Sequence, residues 1–450
     1  MKVNRAIRIL LIALFYNLGD NVKKIVMYVL SFLCVVTLIG CKKEQVTLLD
    51  IEGLTYEEIV ELYGSDVVIN PVYLPTNQYM PGTIIGYESH QKGQEVDKES
   101  TVNILISTMP TDAVSFDDNV LYVSEIDLLT GINSKNNSDI LIEAGIRGTD
   151  LGISFNFKGQ TVFLFGDTFG GENRTGMWYS NFVAITNDKV FHDGIAFDEI
   201  VSRPNGMALP FAQGAHQDGN EFDNRVEVTK IPTGAVTIGD TVYLFYMSVR
   251  YWGASGKWNV NYNQCLKSTD LYTWEEVDSL CWTEELAYNF GQIYPFDDPN
   301  SDYIYIYGIP GGRFGKMVCG RVLEEDIENF EKYEYLIGEN TWASGSNGLV
   351  KLNENPYYLT DNRTAEQCIC YNPYLGKYML LNSVGGVYMF TADNPYDKFS
   401  NPVKLIDSSL VGLYGPFTCS NLFEENGKAF YMVGSNWGIY NVYLHKIVLK

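Results

Sequence analysis

The 450-residue sequence predicts an all-β fold for most of the chain, preceded by a small α+β region. From about residue 115 onward, short strand patterns alternate with turn signals, and long helical patterns are almost absent. The 32 Tyr and 23 Phe residues also favour strands. An apolar strand, a turn and a stronger Tyr/Phe-rich strand recur in five segments: ISFNFKGQTVFLFGD, GAVTIGDTVYLFYMSV, GQIYPFDDPNSDYIYIYGIP, CICYNPYLGKYMLLNS and CSNLFEENGKAFYMVGS. Because repeated sheets of this kind bury their faces by stacking on their neighbours, residues 115–450 are predicted to form a five-bladed β-propeller.

Residues 41–110 have a different pattern, in which a strand is followed by an amphipathic helix and two further strands. Thr55 and Glu58 have the spacing of a capping box, which predicts the start of the helix. A Pro-Gly-Thr turn at 81–83 precedes one later strand, and Gly93 precedes the next. The order β-α-β-β and these turn positions resemble a PASTA domain. The resemblance implies a spacer or a module that binds cell-wall glycan, and the spacer role is preferred.

Residues 1–40 are predicted to be a targeting segment. Lys23 and Lys24 precede an apolar run that ends in TLIGC at 37–41. A basic segment, a short apolar run and a small residue before Cys resemble a bacterial lipoprotein signal. The resemblance implies lipidation of Cys41 and an extracytoplasmic protein held by a lipid anchor in the outer membrane or at the cell surface. An uncleaved membrane anchor is the alternative.

The charge and the metal-ligand residues exclude several classes of partner. The chain has 55 acidic and 32 basic residues and a net charge of -23, without a basic cluster outside the N-terminal region, so no nucleic-acid partner is expected. The spacing of the cysteines and the 4 His residues matches no zinc site, so neither a metal nor a cofactor is expected. Disulfide pairing among the cysteines after residue 41 is left open. The acidic loop at 216–227 is interpreted as solvated rather than as a calcium site.

The stretch GTDLGISFNFKGQTVFLFGDTF, residues 148–169, places an aspartate near each end of a predicted hairpin. Alternation at 152–157 predicts one strand, and the apolar run 162–165 predicts a second. Folding these strands about Lys-Gly-Gln places Asp150 and Asp167 on neighbouring rungs, about 5 Å apart at Cα. Both acids would then face the central channel. Their alternative role is to form turns or cap strand ends.

Five motifs stand out in the region 115–450: GTDLG at 148–152, FGDTF at 165–169, KIPTGAV at 230–236, GGRFG at 311–315 and AEQCICYNPYLGKYML at 365–380. They resemble the motifs of a bacterial five-bladed propeller family, once a domain of unknown function and now grouped with endo-D-arabinanases. The resemblance implies cleavage of internal α-D-arabinofuranosyl linkages in mycobacterial-type arabinan, as found in arabinogalactan and lipoarabinomannan. It also implies that the first-blade hairpin carries the catalytic carboxylates.

Glycosidic hydrolysis needs one carboxylic acid to protonate the leaving oxygen and one carboxylate to activate water or attack the anomeric carbon. Asp167 is assigned as the acid and Asp150 as the base or nucleophile, although these roles could be reversed. Glu366 is a third candidate carboxylate, for which the match is weaker because Ala365 stands where Gly is expected. Its alternative role is to be a buried partner of Arg313 or Arg363. By analogy with other five-bladed furanosidases, inversion of configuration is expected.

Arginine and aromatic side chains complete the predicted site. Arg147, Arg250 and Arg313 could make planar contacts to substrate, whereas Trp252 and Trp342 could form sugar platforms. A propeller fold by itself does not require catalysis. The sequence therefore leaves open a non-catalytic propeller lipoprotein that binds glycan or protein, and a furanosidase that acts on L-arabinan or fructan.

Overall fold

The structure, a computed structural model, describes residues 44–407 and 412–450, together with the isolated positions 19, 21, 22, 24 and 27. Cys41 and nearly all of the predicted signal region lie outside the described residues. The described residues divide into two compact units, with the boundary in the chain between Thr108 and Met109. Within the described part of the chain, no helix has the length and apolar character needed to cross a membrane.

Residues 44–108 of the N-terminal unit form one helix and two small sheets. Its elements are β1 (Gln45–Thr47), α1 (Tyr56–Tyr63), β2 (Val68–Pro75), β3 (Ile84–Tyr87), β4 (Glu95–Asp97) and β5 (Thr101–Thr108). The predicted capping box is confirmed, because the Thr55 hydroxyl accepts the Glu58 N–H at 3.2 Å and the Glu58 carboxylate accepts the Thr55 N–H at 2.7 Å. Strand β5 lies between β2, which is parallel to it, and β3, which is antiparallel. The sequence pattern missed β2 because Pro71 disfavours a strand, but β2 is an edge strand, where proline is tolerated. The PASTA-like identity of this unit stays a prediction.

The C-terminal unit contains five antiparallel sheets of four or five strands. The first sheet consists of β7 (Leu151–Phe157), β8 (Gln160–Phe165), β11 (Phe182–Thr186) and β12 (Glu199–Ile200), and the second of β13 (Thr229–Ile238), β14 (Thr241–Trp252), β15 (Trp258–Ser268) and β16 (Glu275–Thr283). The third sheet consists of β17 (Gln292–Asp297), β18 (Tyr303–Ile309), β19 (Val318–Leu323), β20 (Glu334–Gly338) and β21 (Thr341–Ser344). The fourth sheet consists of β22 (Cys368–Asn372), β23 (Lys377–Asn382), β24 (Val387–Ala392) and β25 (Ser400–Ile406). The fifth sheet consists of β26 (Leu413–Phe417), β28 (Ala429–Asn436), β29 (Asn441–Leu449) and β6 (Val120–Leu128), with β27 (Phe423–Glu424) beside β28.

Outside these five sheets, the described residues of this unit also form a two-stranded ribbon and three α-helices. They are β9 (Thr168–Gly171), β10 (Thr175–Tyr179), α2 (Ser138–Glu143), α3 (Glu284–Ala287) and α4 (Gly345–Glu354). In the sequence the ribbon follows the β7–β8 hairpin, so β9 begins directly after Asp167 of the predicted site.

Contacts between neighbouring sheets close the five sheets into a ring. Strand β7 contacts β13, β13 contacts β17, β17 contacts β22, and β26 contacts β7, while β23 completes the ring by contacting β26. A β-propeller arranges its sheets in this way around a central axis. The predicted all-β character is confirmed for this unit. Strand β6, which the repeat pattern did not reveal, pairs antiparallel with β29 and so joins the two ends of the unit in one sheet.

Replacing Ile447 by Ala is expected to lower the free energy of unfolding of the C-terminal unit by about 2–5 kcal/mol, the usual cost of a cavity at a fully buried Ile. Ile447 is 0% exposed and pairs with Val123 of β6. Denaturant unfolding checks this, with Ile439→Ala as a matched control because Ile439 is 49% exposed. An equal effect of the two substitutions would contradict the placement of β6 and β29 in the core.

Candidate active site

The hairpin β7–β8 places Asp150 and Asp167 at its open end. The strands are joined by Lys158 and Gly159, whose φ angles of 50° and 82° suit the two-residue turn that matches strand twist. Phe157 pairs with Gln160, so Gln160 belongs to β8 rather than to the predicted turn. At the other end Leu151 pairs with Phe165 and Gly148 with Phe169, and both acids lie between these two pairs, as predicted.

The backbone around Asp150 is distorted. Leu151 has φ of 72°, an uncommon angle for a residue with a side chain, and a register shift follows it in β7. The Leu151 N–H donates to the Ser435 hydroxyl at 2.7 Å, which anchors this segment to the fifth sheet. Gly166 lies opposite, where a Cβ atom would come within 2.5 Å of the Asp150 carboxylate. A larger residue than glycine at 166 would therefore displace Asp150.

Both acids line a cavity of about 880 Å³ at this end of the ring. The other carboxylate in its wall is Glu366, and Arg313 lies beside it. Aromatic side chains form much of the remaining wall: Phe169, Trp178, Trp252, Trp258, Tyr414, Trp437 and Tyr440. A cavity with aromatic walls and a few convergent polar groups is the usual form of a small-ligand site.

A second cavity, of about 720 Å³, lies at the opposite ends of the same strands. Its wall includes Lys158, Tyr294, Cys370 and Cys419, and its one carboxyl group belongs to Asp297. Paired carboxylates occur in the first cavity, so the chemistry predicted for this protein belongs there.

The six cysteines of the described residues are unpaired.

Asp167 is held by two hydrogen bonds that end on the same oxygen. Its Oδ1 accepts the indole N–H of Trp178 at 2.7 Å and the hydroxyl of Thr229 at 2.6 Å. The side chain is buried, with 7% of its surface exposed. Burial raises the pKa of Asp167 to about 8, the two hydrogen bonds oppose this rise, and the nearby Asp150 charge adds to it. Asp167 therefore keeps a proton near neutral pH.

The pKa of Asp150 is raised less than that of Asp167, to about 6 against about 8. The Oδ2 atom of Asp150 accepts the hydroxyl proton of Tyr414 at 2.8 Å. Burial raises the pKa of Asp150 to about 6, and hydrogen bonds from Tyr414 and Tyr440 oppose this rise. The Glu366 charge raises the pKa of Asp150 further, whereas the Arg313 charge lowers it. Near pH 7 the more abundant state has Asp150 ionised and Asp167 protonated.

Glu366 forms an ion pair with Arg313, which was its predicted alternative role. The guanidinium Nε lies 2.8 Å and 3.1 Å from the two carboxylate oxygens, and Nη2 contacts Oε1. The same guanidinium lies over the rings of Tyr414, at 4.7 Å, and Trp258, at 5.4 Å. Glu366 thus lines the cavity as half of a charged pair and stands close enough to Asp150 to change its pKa.

Two of the predicted arginines lie away from the cavity wall. Arg250 is buried and pairs with the Glu284 carboxylate at 2.7 Å, while its Nε donates to the Glu221 carbonyl at 3.1 Å. Arg147 contributes its backbone N–H to the Phe169 carbonyl at 2.9 Å. Neither side chain belongs to the cavity lining. Arg250 is instead the internal partner of an acid on α3.

Of the two tryptophans predicted to be sugar platforms, only one lines the cavity. Trp252 lines the cavity and is 42% exposed, so its ring is accessible to a ligand. Trp342 lies in β21 of the third sheet, 4.0 Å from the Arg321 guanidinium and packed edge-on against Tyr396. Trp342 is therefore a packing residue of that sheet and is not part of the cavity lining.

Sequence reasoning missed the residues that hold the two aspartates. Trp178 comes from β10, Thr229 from β13, Tyr414 from β26, and Tyr440 directly precedes β29. These positions are distant in sequence from one another and carry no motif spacing that could connect them. Only the closed ring brings them to Asp150 and Asp167.

The burial of Asp167 predicts that stability falls as pH rises. The folded state holds the proton up to about pH 8, whereas the ordinary pKa is 3.8. The folded state therefore binds more protons between these values, and the stability from this group is full below pH 3.8 and lost as pH passes about 8. Asp167→Asn is expected to flatten this slope and to stabilise the protein at pH 8 by about 1–3 kcal/mol, since it removes a buried charge. Thermal unfolding at pH 5 and pH 8 measures it, and an unchanged slope in the variant would contradict it.

Comparison with solved structures shows similarity at the level of the fold. A candidate hydrolase from Bacteroides ovatus ATCC 8483 aligns with a TM-score of 0.51 and 11% identity, covering 75% of this chain and 93% of that chain. An arabinanase from Bacillus subtilis aligns with a TM-score of 0.38 and 10% identity, covering 67% and 96%. An α-L-arabinofuranosidase from Podospora anserina in complex with cellotriose aligns with a TM-score of 0.40 and 12% identity, covering 74% and 98%.

No curated protein matches the chain. One protein family matches residues 133–446, which span most of the C-terminal unit and include both aspartates, Glu366 and Arg313. The family is described as "Domain of unknown function (DUF4185)". The endo-D-arabinanase activity that the sequence resemblance implies stays a prediction. The match shows that the chain belongs to the DUF4185 family.

Proposed function

We propose that this protein is a glycoside hydrolase that cleaves internal α-D-arabinofuranosyl linkages of mycobacterial-type arabinan. The observation that carries the proposal is the pair of carboxylates in one cavity, with pKa values raised to about 8 for Asp167 and about 6 for Asp150. Hydrolysis of one glycosidic bond needs a protonated acid and an ionised carboxylate, and two acids with different pKa values can supply both at the same pH. The five sheets are, in this proposal, the blades of a five-bladed propeller.

Asp167 acts as the general acid. Its Oδ1 is occupied by the Trp178 and Thr229 donors, so Oδ2 carries the proton and offers it to the cavity. Transfer of this proton to the glycosidic oxygen allows the bond to the anomeric carbon to break, because the leaving group departs as a neutral alcohol. Asp167 becomes an anion in this step and regains its proton from solvent after the products leave.

Asp150 acts as the general base. In its ionised form it removes a proton from a water molecule, whose oxygen then bonds to the anomeric carbon as positive charge develops on the sugar ring. The Tyr414 hydroxyl at 2.8 Å orients the carboxylate for this role. Water attack on the face opposite the leaving group inverts the configuration. In this scheme the Glu366–Arg313 pair sets the local charge, and the Arg313 guanidinium is available to sugar hydroxyls.

The exposed aromatic rings of the cavity suit a carbohydrate polymer. Trp252 and Trp437 both line the cavity and are 42% and 59% exposed. The Arg174 guanidinium lies 4.4 Å from the Trp437 ring centre and supports it from one side. Sugar rings stack on such platforms, so a chain can be bound on more than one side of the scissile bond.

Localisation completes the proposal. The protein would be an extracytoplasmic lipoprotein anchored through Cys41, with the PASTA-like unit as a spacer or as a contact to cell-wall glycan. The support for this comes from the sequence pattern alone, since Cys41 lies outside the described residues.

The direct test is to incubate the purified protein with mycobacterial arabinogalactan, plant L-arabinan and a fructan, and to size the products by chromatography. Oligosaccharides released from arabinogalactan alone would support the proposal. Release from L-arabinan or fructan instead would reassign the linkage while keeping the mechanism. Binding of a polymer without cleavage by the folded protein would favour a non-catalytic glycan-binding propeller.

A further inference from the structure

His216 lies against the indole that holds Asp167. The imidazole and the Trp178 indole are stacked, with ring centres 3.8 Å apart and an angle of 6° between their planes. The same indole donates its N–H to Asp167 Oδ1 at 2.7 Å. His216 is not part of the cavity lining, so its effect on the cavity passes through Trp178.

The imidazole is fixed in place by its own loop. Its Nε2 lies 3.0 Å from the Ser180 hydroxyl and 3.0 Å from the Gln213 amide nitrogen. An amide nitrogen donates, so Nε2, the ring nitrogen closer to it, is the acceptor, while Nδ1 lies 3.5 Å from the same amide nitrogen. Burial also lowers the pKa of His216. The backbone of His216 has φ of 52°, an uncommon conformation that is secured by its N–H bond to the Val228 carbonyl at 3.1 Å.

Trp178 needs support of this kind because of where it lies. It belongs to the β9–β10 ribbon, which has only two strands and a register shift between Thr175 and Trp178. An isolated two-stranded ribbon is only marginally stable. The indole contacts two rings, Phe169 with ring centres 5.8 Å apart and His216 with ring centres 3.8 Å apart. Without His216, the indole would lose the closer of these two contacts.

We propose that His216 is a positioning residue, which by stacking on Trp178 keeps the indole N–H on Asp167 and so fixes the orientation of that carboxyl group. The proposal deepens the function proposed above and rests on it for the catalytic role of Asp167. The titratable neighbours of Asp167 are Asp150, directly before β7, and Tyr440, directly before β29. Glu227 acts on His216 from the loop before β13, and Arg174 of the ribbon lines the same cavity as Asp167. Loss of the Trp178 donor raises the pKa of Asp167, because that hydrogen bond lowers it.

Two variants of His216 separate stacking from loop anchoring. His216→Phe keeps a flat ring but no acceptor, whereas His216→Gln keeps an acceptor for Ser180 but no ring. Phe222→Ala serves as the control, since Phe222 is in the same loop and 91% exposed. Thermal unfolding first verifies that each variant is folded.

The first readout needs no substrate. In ¹⁵N NMR spectra the indole N–H of Trp178 is identified by its loss in Trp178→Phe, and in the wild type its shift is expected to follow Asp167 with a midpoint of about 8. His216→Phe and Phe222→Ala are expected to keep this titration. His216→Gln is expected to move the midpoint upward or abolish the titration. A wild-type titration in His216→Gln, or its loss in His216→Phe alone, would overturn the proposal.

The second readout is the pH profile of arabinan cleavage. His216→Gln is expected to lower kcat by about 10- to 100-fold with little change in KM, since a small misplacement of a catalytic group has this effect. The basic limb of the pH profile of His216→Gln should move to higher pH. His216→Phe should have the kcat and the basic limb of the wild type. If the wild type cleaves no polymer, the proposed function fails, but the indole titration still decides whether His216 positions Asp167.

Discussion

Asp167→Asn is expected to reduce cleavage of arabinan by about 10² to 10⁴-fold, which is the usual contribution of a positioned general acid. The amide oxygen can still accept the Trp178 and Thr229 donors that now bond Oδ1, so the fold of the site is retained. What is lost is the proton that Asp167 keeps up to about pH 8. Initial rates of oligosaccharide release measure the effect. Asp223→Asn is the matched control, because Asp223 pairs only with the exposed Arg225 and lies in a solvated loop.

Comparison with Asp150→Asn assigns the two roles. An aryl arabinoside oligomer with a good leaving group needs no acid, so Asp167→Asn should recover much of its activity on that substrate. Asp150→Asn should remain inactive on both substrates, because water still has to be activated. The opposite pattern would exchange the roles of the two acids. Wild-type rates in both variants would remove the hairpin from the mechanism.

Glu366→Gln and Arg313→Met are expected to move the acidic limb of the pH profile in opposite directions. The Glu366 charge raises the pKa of Asp150, and the Arg313 charge lowers it. Glu366→Gln should therefore shift the acidic limb to lower pH, and Arg313→Met should shift it to higher pH. A shift of about 0.5–1 unit is expected for one neighbouring charge that is partly screened by the open cavity.

The profile of kcat/KM between pH 4 and 9 measures both shifts. The double variant should return the acidic limb close to its wild-type position, since the two charges cancel. Arg313→Met should also cost more stability than Glu366→Gln, because the Glu366 side chain, 11% exposed, would be left without its partner. Shifts of the same sign in both single variants would show that the pair acts through structure rather than through charge.

The sequence predicted local features because local physical chemistry fixes them. The Thr55–Glu58 capping box depends on residues within one turn of helix, and the hairpin that carries Asp150 and Asp167 depends on strand alternation around Lys158 and Gly159. Both are present in the structure. The five repeated segments likewise correspond to β7–β8, β13–β14, β17–β18, β22–β23 and the β27–β28 region of the five sheets.

Burial and long-range contacts could not be predicted from local sequence patterns. Arg250 was a reasonable substrate contact by residue type, but the fold pairs it internally with Glu284. Trp342 was equally plausible as a sugar platform, but it packs within the third sheet. A single side chain carries no sign of which face of a sheet it will occupy when its strand has aromatic residues on both faces.

The sequence by itself determined that two acids lie at one end of a hairpin in a chain of repeated strands. The tertiary structure alone decided their difference, because pKa depends on burial and on neighbours from distant segments. Trp178 and Thr229 fix one oxygen of Asp167, while Tyr414 and Tyr440 surround Asp150. These partners come from the ribbon and from the second and fifth sheets, and only closure of the ring brings them within hydrogen-bonding distance.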